Sequence, residues 1–593
     1  MNLTPEERQI GKDNYHNALS VSRREFLGGL LATGAVSSLG FGAIYFGYEK
    51  IGEPLRVGVI GTGDEGCVLI GAMNPNFIQV KAICDIRPLN LQRAFYGDHA
   101  SAGALKVRPG LCSVFGWNDR KAAEKEVKVY QDYKELVKDP NIDAVVIALP
   151  LHLHAEATVA ALKAGKHVLT EKLMAHNVAQ CKVMSRLAQE KGLHLATGHQ
   201  RHYNVLYDNA VNLLQWGLLG EIHHIRAQWH RGNLPGKDSW KPPLPGGEMF
   251  RGVHRDLIHE KLKNIVNSQK KNAKNPAKMA ELKAQEAQWR AWRNDANVDA
   301  EKYGYQKIQL ADGSTRSALE ELCRWRLWDR TGGGLMAELG SHQLDAASIF
   351  VSALRKDKKK SHPLTVHAVG GRHLFPLDRD ADDHVYCMFE FPGPGYDAKF
   401  DVGYKDPHVV LPNPKSGVPA YEQDPNKKIV VSYSSINGNG FGDFGEVVMG
   451  TKGTLILEKE KEVMLFKGSS TSTRVEVKND TGVPTMNTHE SGGGGELSKS
   501  VQTNTEVSRG YTEEMEHLAY CIRNPDKENQ PRCHPEVALA DAVIALTAKT
   551  ALHNGNTPGK HGFIAFEEDW FDIDSDATPD GSSVANETKR LDT

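Results

Sequence analysis

Three polar residues at helical spacing, Glu338, His342 and Asp345, follow a run of three glycines in the stretch TGGGLMAELGSHQLDAA (331–347). Residues four and three positions apart on an α-helix lie on one face, so the spacing predicts that two carboxyl groups and one imidazole are gathered together. An imidazole titrates near neutral pH and can take a proton from a substrate, and a carboxylate can orient it. A solvated stripe on a surface helix would have the same spacing, so this stretch alone leaves both interpretations open.

A glycine-rich motif near the start of the chain predicts a nucleotide site. It follows the apolar run 56–60, precedes a helical pattern, and consists of Gly61, Thr62, Gly63, Asp64, Glu65 and Gly66. In such a G-x-G-x-x-G motif, Gly61 allows a tight turn, Gly63 lets the backbone approach a pyrophosphate, and Gly66 lets helix and strand pack closely. The N–H groups and the positive dipole end at the start of the helix favour phosphate.

The strand-like run that follows, IQVKAICDI, contains Asp85 near its end, and Arg87 comes directly after it. An acid at this place, about twenty residues after the glycines, can accept hydrogen bonds from an adenosine ribose, which favours NAD over NADP. Arg87 could hold a 2′-phosphate, so the sequence predicts NAD and leaves NADP open. The segments YKELVKDPNIDAVVIALP (133–150) and HAEATVAALKAGKHVLTEKL (154–173) each read as a helix followed by an apolar strand, which is the pattern of a parallel sheet.

The bulk composition bounds the class of protein. The chain has 593 residues, of which 40% are apolar and 25% charged, with a formal net charge of -2. This length predicts at least two domains with ample core, and the near-zero charge excludes a global basic field for nucleic acid. The eight cysteines include no C-x-x-C pair. Neither a zinc site nor a dense disulfide framework is therefore indicated, and we expect no metal.

The first fifty residues resemble a twin-arginine export signal. Arg23 and Arg24 stand in the matching core SRREFL (22–27), and no charged residue follows until Glu49. The uncharged run 27–48 is longer than a secretory h-region of roughly 7–15 residues and close to the roughly 20 that cross a bilayer. We therefore expect export to the periplasm by the twin-arginine machinery, with this run either cleaved off or kept as an anchor in the inner membrane.

Taken together and in this order, the motifs resemble the Gfo/Idh/MocA family, the group of glucose–fructose oxidoreductase and inositol dehydrogenase. The matching positions are Gly61, Gly63, Gly66, Asp85, Pro150, His154, Glu171, Lys172, Gln200 and Arg201, with the runs GGGLMAELGSH (332–342), VVMGTKGTLIL (447–457) and HPEVALADAVIALTAKTALHNG (534–555). The resemblance implies an α/β protein with an N-terminal Rossmann parallel sheet. A C-terminal α/β domain with a large, mostly antiparallel sheet would cover the nicotinamide.

The resemblance and the local patterns together predict four parts of the chain. They are a signal or anchor with its linker (1–53), a Rossmann dinucleotide-binding domain (54–175), a substrate-binding and catalytic α/β domain (176–565) and a C-terminal tail (566–593), which is acidic, polar and expected to be disordered after about Asp574. The second domain contains strand-like runs such as EIHHIRAQWH, LTVHAVGG, HVYCMFEF, AKFDVGY and KIVVSYSS. We expect an insertion of polar helices over 241–330, interrupted at Pro276, to form a solvated cap or a partner surface, and 484–500 to be a flexible loop.

The resemblance also implies site residues. Cofactor binding is expected from Gly61, Thr62, Gly63, Asp64, Glu65, Gly66, Asp85, Arg87, Pro150, His154, Glu171, Lys172 and Gln200, and substrate binding from Lys172, Arg201, Tyr203, His342 and Asp345. In the predicted catalytic set, His342 is the general base, Lys172 favours the alkoxide character of the hydroxyl, and Glu338 orients His342 or binds a neighbouring hydroxyl. Glu338 stands where the family usually has Asp. Leu173 replaces the usual Pro, so a cis peptide bond after Lys172 is not expected.

Three functions fit these expectations. The first is a nicotinamide-dependent oxidoreductase acting on a secondary hydroxyl of a sugar or polyol, with tightly bound NAD or NADP because free nucleotide is scarce outside the cytoplasm. The second is a glycosidase, lyase or epimerase that oxidises the sugar transiently with no net redox change. The third is an inactive sugar-binding or scaffold protein. The resemblance further implies a homo-oligomer, either a dimer or a tetramer.

Overall fold

The structure is a computed structural model that describes residues 3–19, 46, 48, 51–250, 252–357, 359–399, 425–475, 477–479, 484–486, 509–526 and 528–592. The twin-arginine core and nearly all of the run 27–48 lie outside the described residues, as do 487–500 of the expected flexible loop and most of the AKFDVGY run (398–404). Among the helices that the structure describes, none is long and apolar enough to cross a membrane.

The strands and helices follow one another along the chain. The strands are β1 (Leu55–Ile60), β2 (Ile78–Cys84), β3 (Lys128–Tyr130), β4 (Ala144–Ile147), β5 (His167–Glu171), β6 (Leu195–Gly198), β7 (Ile222–Arg231), β8 (Glu248–Phe250), β9 (Val253–Arg255), β10 (Ile308–Gln309), β11 (Thr315–Arg316), β12 (Thr365–Gly371), β13 (His384–Pro392), β14 (Lys428–Asn437), β15 (Phe444–Gly450), β16 (Gly453–Glu458), β17 (Glu462–Lys467), β18 (Val477–Asn479), β19 (Pro484–Met486) and β20 (Phe563–Ala565). The helices are α1 (Pro5–Ala18), α2 (Asp64–Ala72), α3 (Pro88–Tyr96), α4 (Ala102–Val107), α5 (Leu111–Val114), α6 (Arg120–Ala123), α7 (Tyr133–Leu136), α8 (His154–Lys163), α9 (Val178–Lys191), α10 (Val205–Gln215), α11 (Leu257–Lys271), α12 (Pro276–Asn294), α13 (Ala318–Cys323), α14 (Asp329–Gly332), α15 (Ser341–Ser352), α16 (Tyr511–Arg523), α17 (Pro535–Gly555) and α18 (Val584–Asp592).

The N-terminal domain is built on the predicted Rossmann sheet. Its six strands are parallel in the order β3-β2-β1-β4-β5-β6, and the central strand β4 is buried along its whole length. The predicted boundary at residue 175 was too early, because β6 pairs with β5 and extends the sheet to Gly198. Helix α16 returns to this domain from far along the chain and buries Met515 and Leu518 in its core. A parallel sheet needs helices packed on both of its faces, which explains why a helix so distant in the sequence packs on this domain.

The second domain contains an eight-stranded sheet in the order β17-β16-β15-β7-β14-β13-β12-β20. Strands β7 and β14 pair in parallel and the other neighbours are antiparallel, so the prediction of a mostly antiparallel sheet is confirmed. Helices α15 and α17 pack on one face of this sheet. Helix α1 covers part of the other face, where Asn14 donates hydrogen bonds to the carbonyl oxygens of Leu465 and Thr473.

The insertion between residues 241 and 330 joins the two domains. As predicted, its polar helices break before Pro276, which is the first residue of α12. Helices α11 and α12 pack on each other, and α12 also packs on α3 of the Rossmann domain. The insertion is therefore a cap that lies against the nucleotide-binding domain.

The C-terminal tail packs on the protein as far as Asp592, which corrects the expectation of disorder after about Asp574. Helix α18 packs on α8 and α9 and buries Val584 and Leu591, which lie on one face at i and i+7. The Asp580 carboxylate accepts a hydrogen bond from the backbone N–H of Val178 at 2.9 Å. An acid at a helix N-terminus is stabilised by the helix dipole, so the acidic composition serves packing here rather than solvation.

Candidate functional site

A cleft of about 1380 Å³ lies between the Rossmann sheet, the insertion and the start of α15. This exceeds the roughly 300–1,000 Å³ of a small-molecule pocket and suits an extended dinucleotide with a second ligand. The predicted site residues that line it are Gly61, Gly63, Asp64, Glu65, Asp85, Arg87, Pro150, Glu171, Lys172, Glu338 and His342. The cleft therefore brings together residues that are distant in the chain.

The glycine loop is shaped to receive a phosphate. A Cβ atom on Gly61, whose φ is +86°, would lie 2.4 Å from the carbonyl oxygen of Ala148, and one on Gly66 would lie 2.1 Å from the carbonyl oxygen of Gly61. A Cβ on Gly63, in contrast, would meet its nearest described neighbour only at 3.9 Å and would project into the cleft. Two glycines thus keep the turn tight and the third leaves room for a pyrophosphate beside the N-terminus of α2, so the residues present fit a dinucleotide.

Two acidic residues of the loop would repel a pyrophosphate if both were charged and unpaired. Asp64 is paired with the Arg93 guanidinium at 2.5 Å. Burial raises the pKa of Glu65, and burial together with the nearby Glu65 raises the pKa of Glu171 to about 8. One charge is therefore neutralised by an arginine, and the Glu65–Glu171 pair holds a proton at neutral pH.

Asp85 lies at the end of β2, as predicted, and lines the cleft. Its carboxylate accepts a hydrogen bond from the backbone N–H of Thr62 at 2.8 Å and another from the backbone N–H of Arg87 at 2.9 Å. The side-chain amide of Asn90 also donates to it, at 3.1 Å. These bonds anchor the glycine loop to the strand end and fix the carboxylate where the ribose is expected.

Lys172 follows β5 and reaches across to the second domain. Its Nζ donates a hydrogen bond to the carbonyl oxygen of Glu338 at 2.8 Å. The peptide bond from Lys172 to Leu173 is cis, which corrects the expectation of a trans bond. On the Leu173 side of this bond, the side chain is buried and the carbonyl oxygen lies 2.9 Å from Nδ1 of His154.

Glu338 does not lie on the same continuous α-helix as His342. Residues Met336–Gly340 form a π-helical turn, and α15 begins at Ser341. Single π-turns inside helices are frequent at functional sites. The Glu338 carboxylate accepts a hydrogen bond from Nε of Arg326 at 2.8 Å, so this arginine, and not His342 as predicted, is its partner.

The charge state of Glu338 follows from these neighbours. Burial opposes ionisation, but Arg326 and Lys172 outweigh it and lower the pKa of Glu338 to about 2. Glu338 is therefore a carboxylate at neutral pH, with its charge balanced from two sides of the cleft.

His342 lies in the cleft in an apolar and cationic setting. Its ring centroid is 5.5 Å from that of Trp229 on β7. Burial lowers the pKa of His342 well below its usual value, and the positive charge of Lys172 adds to the effect, so the ring is neutral. Its Nδ1 is buried without a hydrogen-bond partner among the described residues. The guanidinium of Arg201 donates to the backbone carbonyl of His342 and fixes this turn of α15.

Several residues predicted to touch a ligand are instead buried beside the cleft and serve its structure. They are Thr62, Gly66, His154, Gln200, Arg201, Tyr203 and Asp345. Arg201 is paired with Glu460 at 2.9 Å, and Nε2 of Gln200 donates to the same carboxylate at 3.3 Å. The Tyr203 hydroxyl accepts from the backbone N–H of Arg532. The bonds named here are made within the protein, so these side chains support the walls of the cleft and do not line it.

Asp345 belongs to a buried charge network behind His342. Its carboxylate lies 2.8 Å from Nε2 of His202 and 2.9 Å from the ammonium of Lys360, which also bonds Asp541. Residues His202, Asp345 and Asp541 are close enough to ligate a metal, and so are His199, Cys533 and Asp541. Lys360 already supplies positive charge between the two carboxylates. Asp345 is therefore a positioning residue for α15. The polar residues predicted to share one helix face are thus separated, because His342 lines the cleft whereas Asp345 is buried in the protein.

Sequence reasoning missed several residues that line the cleft, namely Trp229, Arg231, Gln288, Trp292, Tyr305, Arg326 and Tyr511. Trp229 and Arg231 stand two apart on β7, so strand alternation could have placed both on one face. Arg326, Gln288 and Tyr305 come from the insertion, and no local pattern indicated that it would turn towards the nucleotide.

Comparisons with known proteins agree with this arrangement. Residues 55–199 match the sequence profile of the GFO_IDH_MocA group, described as an oxidoreductase family with an NAD-binding Rossmann fold. An oxidoreductase of Schizosaccharomyces pombe is 34% identical over 167 residues, which cover 26% of this chain and 45% of that protein. Myo-inositol 2-dehydrogenase of Thermotoga maritima is 30% identical over 210 residues, covering 35% of this chain and 52% of that protein.

The chain thus spans about half the length of the curated relatives it matches. Among solved structures, aldose-aldose oxidoreductase from Caulobacter crescentus superposes with a TM-score of 0.46 and 14% identity over 86% of this chain and 100% of that one, a likeness too loose to argue from. The profile match identifies residues 55–199 as similar to the NAD-binding Rossmann domain of the Gfo/Idh/MocA oxidoreductase family.

Proposed function

We propose that this protein is an oxidoreductase that oxidises a secondary hydroxyl of a sugar or polyol with tightly held NAD or NADP as hydride acceptor. The observation that carries the proposal is that Lys172 of the Rossmann domain and His342 of the second domain line one cleft together with the glycine loop. A relative named myo-inositol 2-dehydrogenase supports a polyhydroxylated substrate. When bound, the nicotinamide would supply the hydride chemistry, and the protein would orient the carbon and manage the proton.

Lys172 and His342 divide the work on the substrate hydroxyl. An ammonium has three N–H donors, and one of those on Lys172 is used on Glu338, so the others can bind the hydroxyl oxygen and stabilise negative charge there. The neutral ring of His342 can accept the hydroxyl proton at Nε2, with its own proton on the buried Nδ1. The Glu338 carboxylate retains acceptor capacity for a neighbouring hydroxyl, as a polyol would offer.

The insertion supports tight holding of the nucleotide. Gln288 of α12 is buried, donates to the Asp98 carboxylate at 2.8 Å and accepts from the backbone N–H of His99 at 2.7 Å. Tyr305 of the insertion packs near His152, with ring centroids 5.5 Å apart, and both line the cleft. These contacts fix the insertion to the nucleotide-binding domain, and we call the bonds of Gln288 with Asp98 and His99 the latch. A dinucleotide bound under the insertion could leave only if these contacts opened.

Location is proposed from the sequence, and assembly from the sequence and one exposed surface. We propose export by the twin-arginine route, supported by Arg23 and Arg24 in their matching context. A dimer or tetramer stays a prediction. Its support is the exposed apolar surface of Val369, Tyr386 and Met388 on the eight-stranded sheet.

The direct assay of the proposed function is the absorbance near 340 nm of the purified full-length chain, before and after sugars and polyols are added. A rise with formation of a keto-sugar is the expected result. Release of an aglycone, or an inverted sugar with no net reduced nucleotide, would indicate the redox-neutral alternative. Absence of nucleotide even after incubation with NAD or NADP would contradict both and leave an inactive binding protein.

Replacing His342 with alanine should lower turnover by about 10²–10⁴-fold, because the proton acceptor is lost. The amount of nucleotide bound per protein should not change, since the His342 ring is assigned to the hydroxyl proton. His223→Ala, an exposed histidine on β7, is the matched control and should keep full turnover. Steady-state rates and nucleotide content decide the outcome, and wild-type turnover in His342→Ala would remove the residue from the mechanism.

The Glu65–Glu171 pair predicts a dependence of stability on pH in the nucleotide-free protein. The Glu171 carboxyl has a pKa of about 8 when folded against 4.5 for a free glutamate, so between these values the folded state keeps a proton that the unfolded chain loses. Its contribution to the free energy of unfolding then falls by about 1.4 kcal/mol per pH unit as pH rises.

Glu171→Gln should remove this loss. The variant's melting temperature, relative to wild type, should therefore be higher at pH 8 than at pH 5. Glu190→Gln, an exposed glutamate on α9, is the control and should show equal differences at both pH values. Equal differences in Glu171→Gln would mean that its carboxyl does not retain a proton.

Removing the latch should speed release of the nucleotide. Gln288→Ala deletes one buried and one partly buried hydrogen bond between α12 and the Rossmann domain, each worth about 0.5–1.5 kcal/mol, so NADH should dissociate about 5- to 150-fold faster. Release is followed as loss of NADH fluorescence after a chase with excess NAD. Gln269→Ala is the matched control, because among the residues that the structure describes this side chain bonds Leu282 and Glu286, both within the insertion. Equal release from both variants would contradict the latch.

A further inference from the structure

Arg87, the residue that the sequence left open for NADP, is already engaged by the insertion. Its Nε donates to the Asp295 carboxylate at 2.9 Å, and its Nη2 lies 2.9 Å from the same oxygen. The other oxygen of Asp295 accepts the backbone N–H of Leu89 at 3.0 Å. Asp295 is fully buried, so its charge needs these partners and holds the guanidinium firmly.

The carboxylate of Asp85 adds negative charge to the part of the cleft around Arg87, which we call the Arg87 corner. Two carboxylates, Asp85 and Asp295, stand against the single guanidinium of Arg87, so the group carries a net negative charge. A 2′-phosphate would bring about two further negative charges close to it. A ribose with free 2′- and 3′-hydroxyls brings none and can donate hydrogen bonds to Asp85.

Other cations near this corner have their own roles. Arg324 is buried and paired with Glu248 and Glu320, both at 2.6 Å. Lys134 and Lys302 also line the cleft, but both are exposed, and an exposed ammonium contributes little to binding. Arg87, the arginine placed to recognise a 2′-phosphate, is therefore already paired with Asp295.

We propose that Asp295, supplied by the insertion, is a specificity-determining residue that sequesters Arg87 and commits the cleft to NAD over NADP. The inference rests on the proposed function only in that the cleft binds a nicotinamide dinucleotide. It assigns a second purpose to the insertion, which then selects the nucleotide as well as covering it.

A competition experiment on the full-length chain tests the assignment. The protein is equilibrated with an equimolar mixture of NADH and NADPH, separated from free nucleotide and denatured, and the released nucleotides are quantified by chromatography. Wild type should retain at least about tenfold more NADH than NADPH, the ratio expected from one charge-assisted contact. Equal retention would overturn the proposal and assign the phosphate to Lys134 or Lys302.

Asp295→Asn should shift the retained ratio towards NADPH by about 10- to 100-fold, because the freed guanidinium can bind a phosphate. The double variant Arg87→Gln, Asp295→Asn should lose that shift, since the gain depends on Arg87. Asp312→Asn, an exposed aspartate in the same insertion, is the control and should behave as wild type.

The wild-type competition keeps the proposal falsifiable if neither buried variant folds, and Arg87→Gln adds a second test where it folds. Because Arg87 is sequestered, this variant should retain no less NADPH than wild type does, and a loss of NADPH would overturn the assignment. Selective NADH retention without oxidation of any polyol would contradict the proposed function and leave the role of Asp295 intact. Retention of neither nucleotide would overturn both.

Discussion

The hydrogen bond from Nζ of Lys172 to the carbonyl oxygen of Glu338, at 2.8 Å, joins the two domains inside the cleft. Each side of this contact is built by a separate local feature. On one side, His154 holds the Leu173 carbonyl oxygen beside the lysine. On the other, a π-helical turn presents Glu338 before α15 carries His342. A cation from one domain and a neutral base from the other can share a hydroxyl only while this contact keeps the walls together.

The charges around the cleft are arranged so that almost every buried one has a partner. Arg326 balances Glu338, Lys360 bridges Asp345 and Asp541, and Arg201 is held by Glu460. Removing one member of such a buried ion pair strongly destabilises the folded protein, because it leaves an uncompensated buried charge. The Glu65–Glu171 pair differs, since it reduces its negative charge by keeping a proton rather than by an ion pair with a cation. This difference lies beside the glycine loop, where a dinucleotide would bring its own negative charge.

The parts of the molecule that the sequence predicted are those determined by short-range pattern. The glycine loop, Asp85 at the strand end and the break before Pro276 all follow from local turn and strand chemistry, and the structure shows each of them. The resemblance to the Gfo/Idh/MocA family also implied that Lys172 and His342 act at one site, and both line the cleft. Spacing could not tell which way α15 would be turned about its axis. Asp345 therefore proved to face Lys360 inside the protein, and the π-turn separated Glu338 from the helix assumed to carry it.

Long-range partners account for the other differences. Asp295 meets Arg87 although the two are 208 positions apart, and the tail reaches α9 through Asp580, 402 positions from Val178. Such pairings depend on the whole packing and have no local signature. The polar composition of the insertion and of the tail indicated that both would be exposed to solvent. In the structure, charged residues of both bond to the Rossmann domain.

The most direct test of the account is a crystal structure of the full-length chain with NADH bound. The pyrophosphate should lie at Gly63 and the adenosine ribose at Asp85, under the insertion. The nicotinamide C4 should face the space between Lys172 and His342, leaving room for a substrate carbon at a reactive distance of about 3–3.5 Å. A dinucleotide bound in the reverse direction, or a nicotinamide outside that space, would contradict the claim that these two residues act on one hydroxyl.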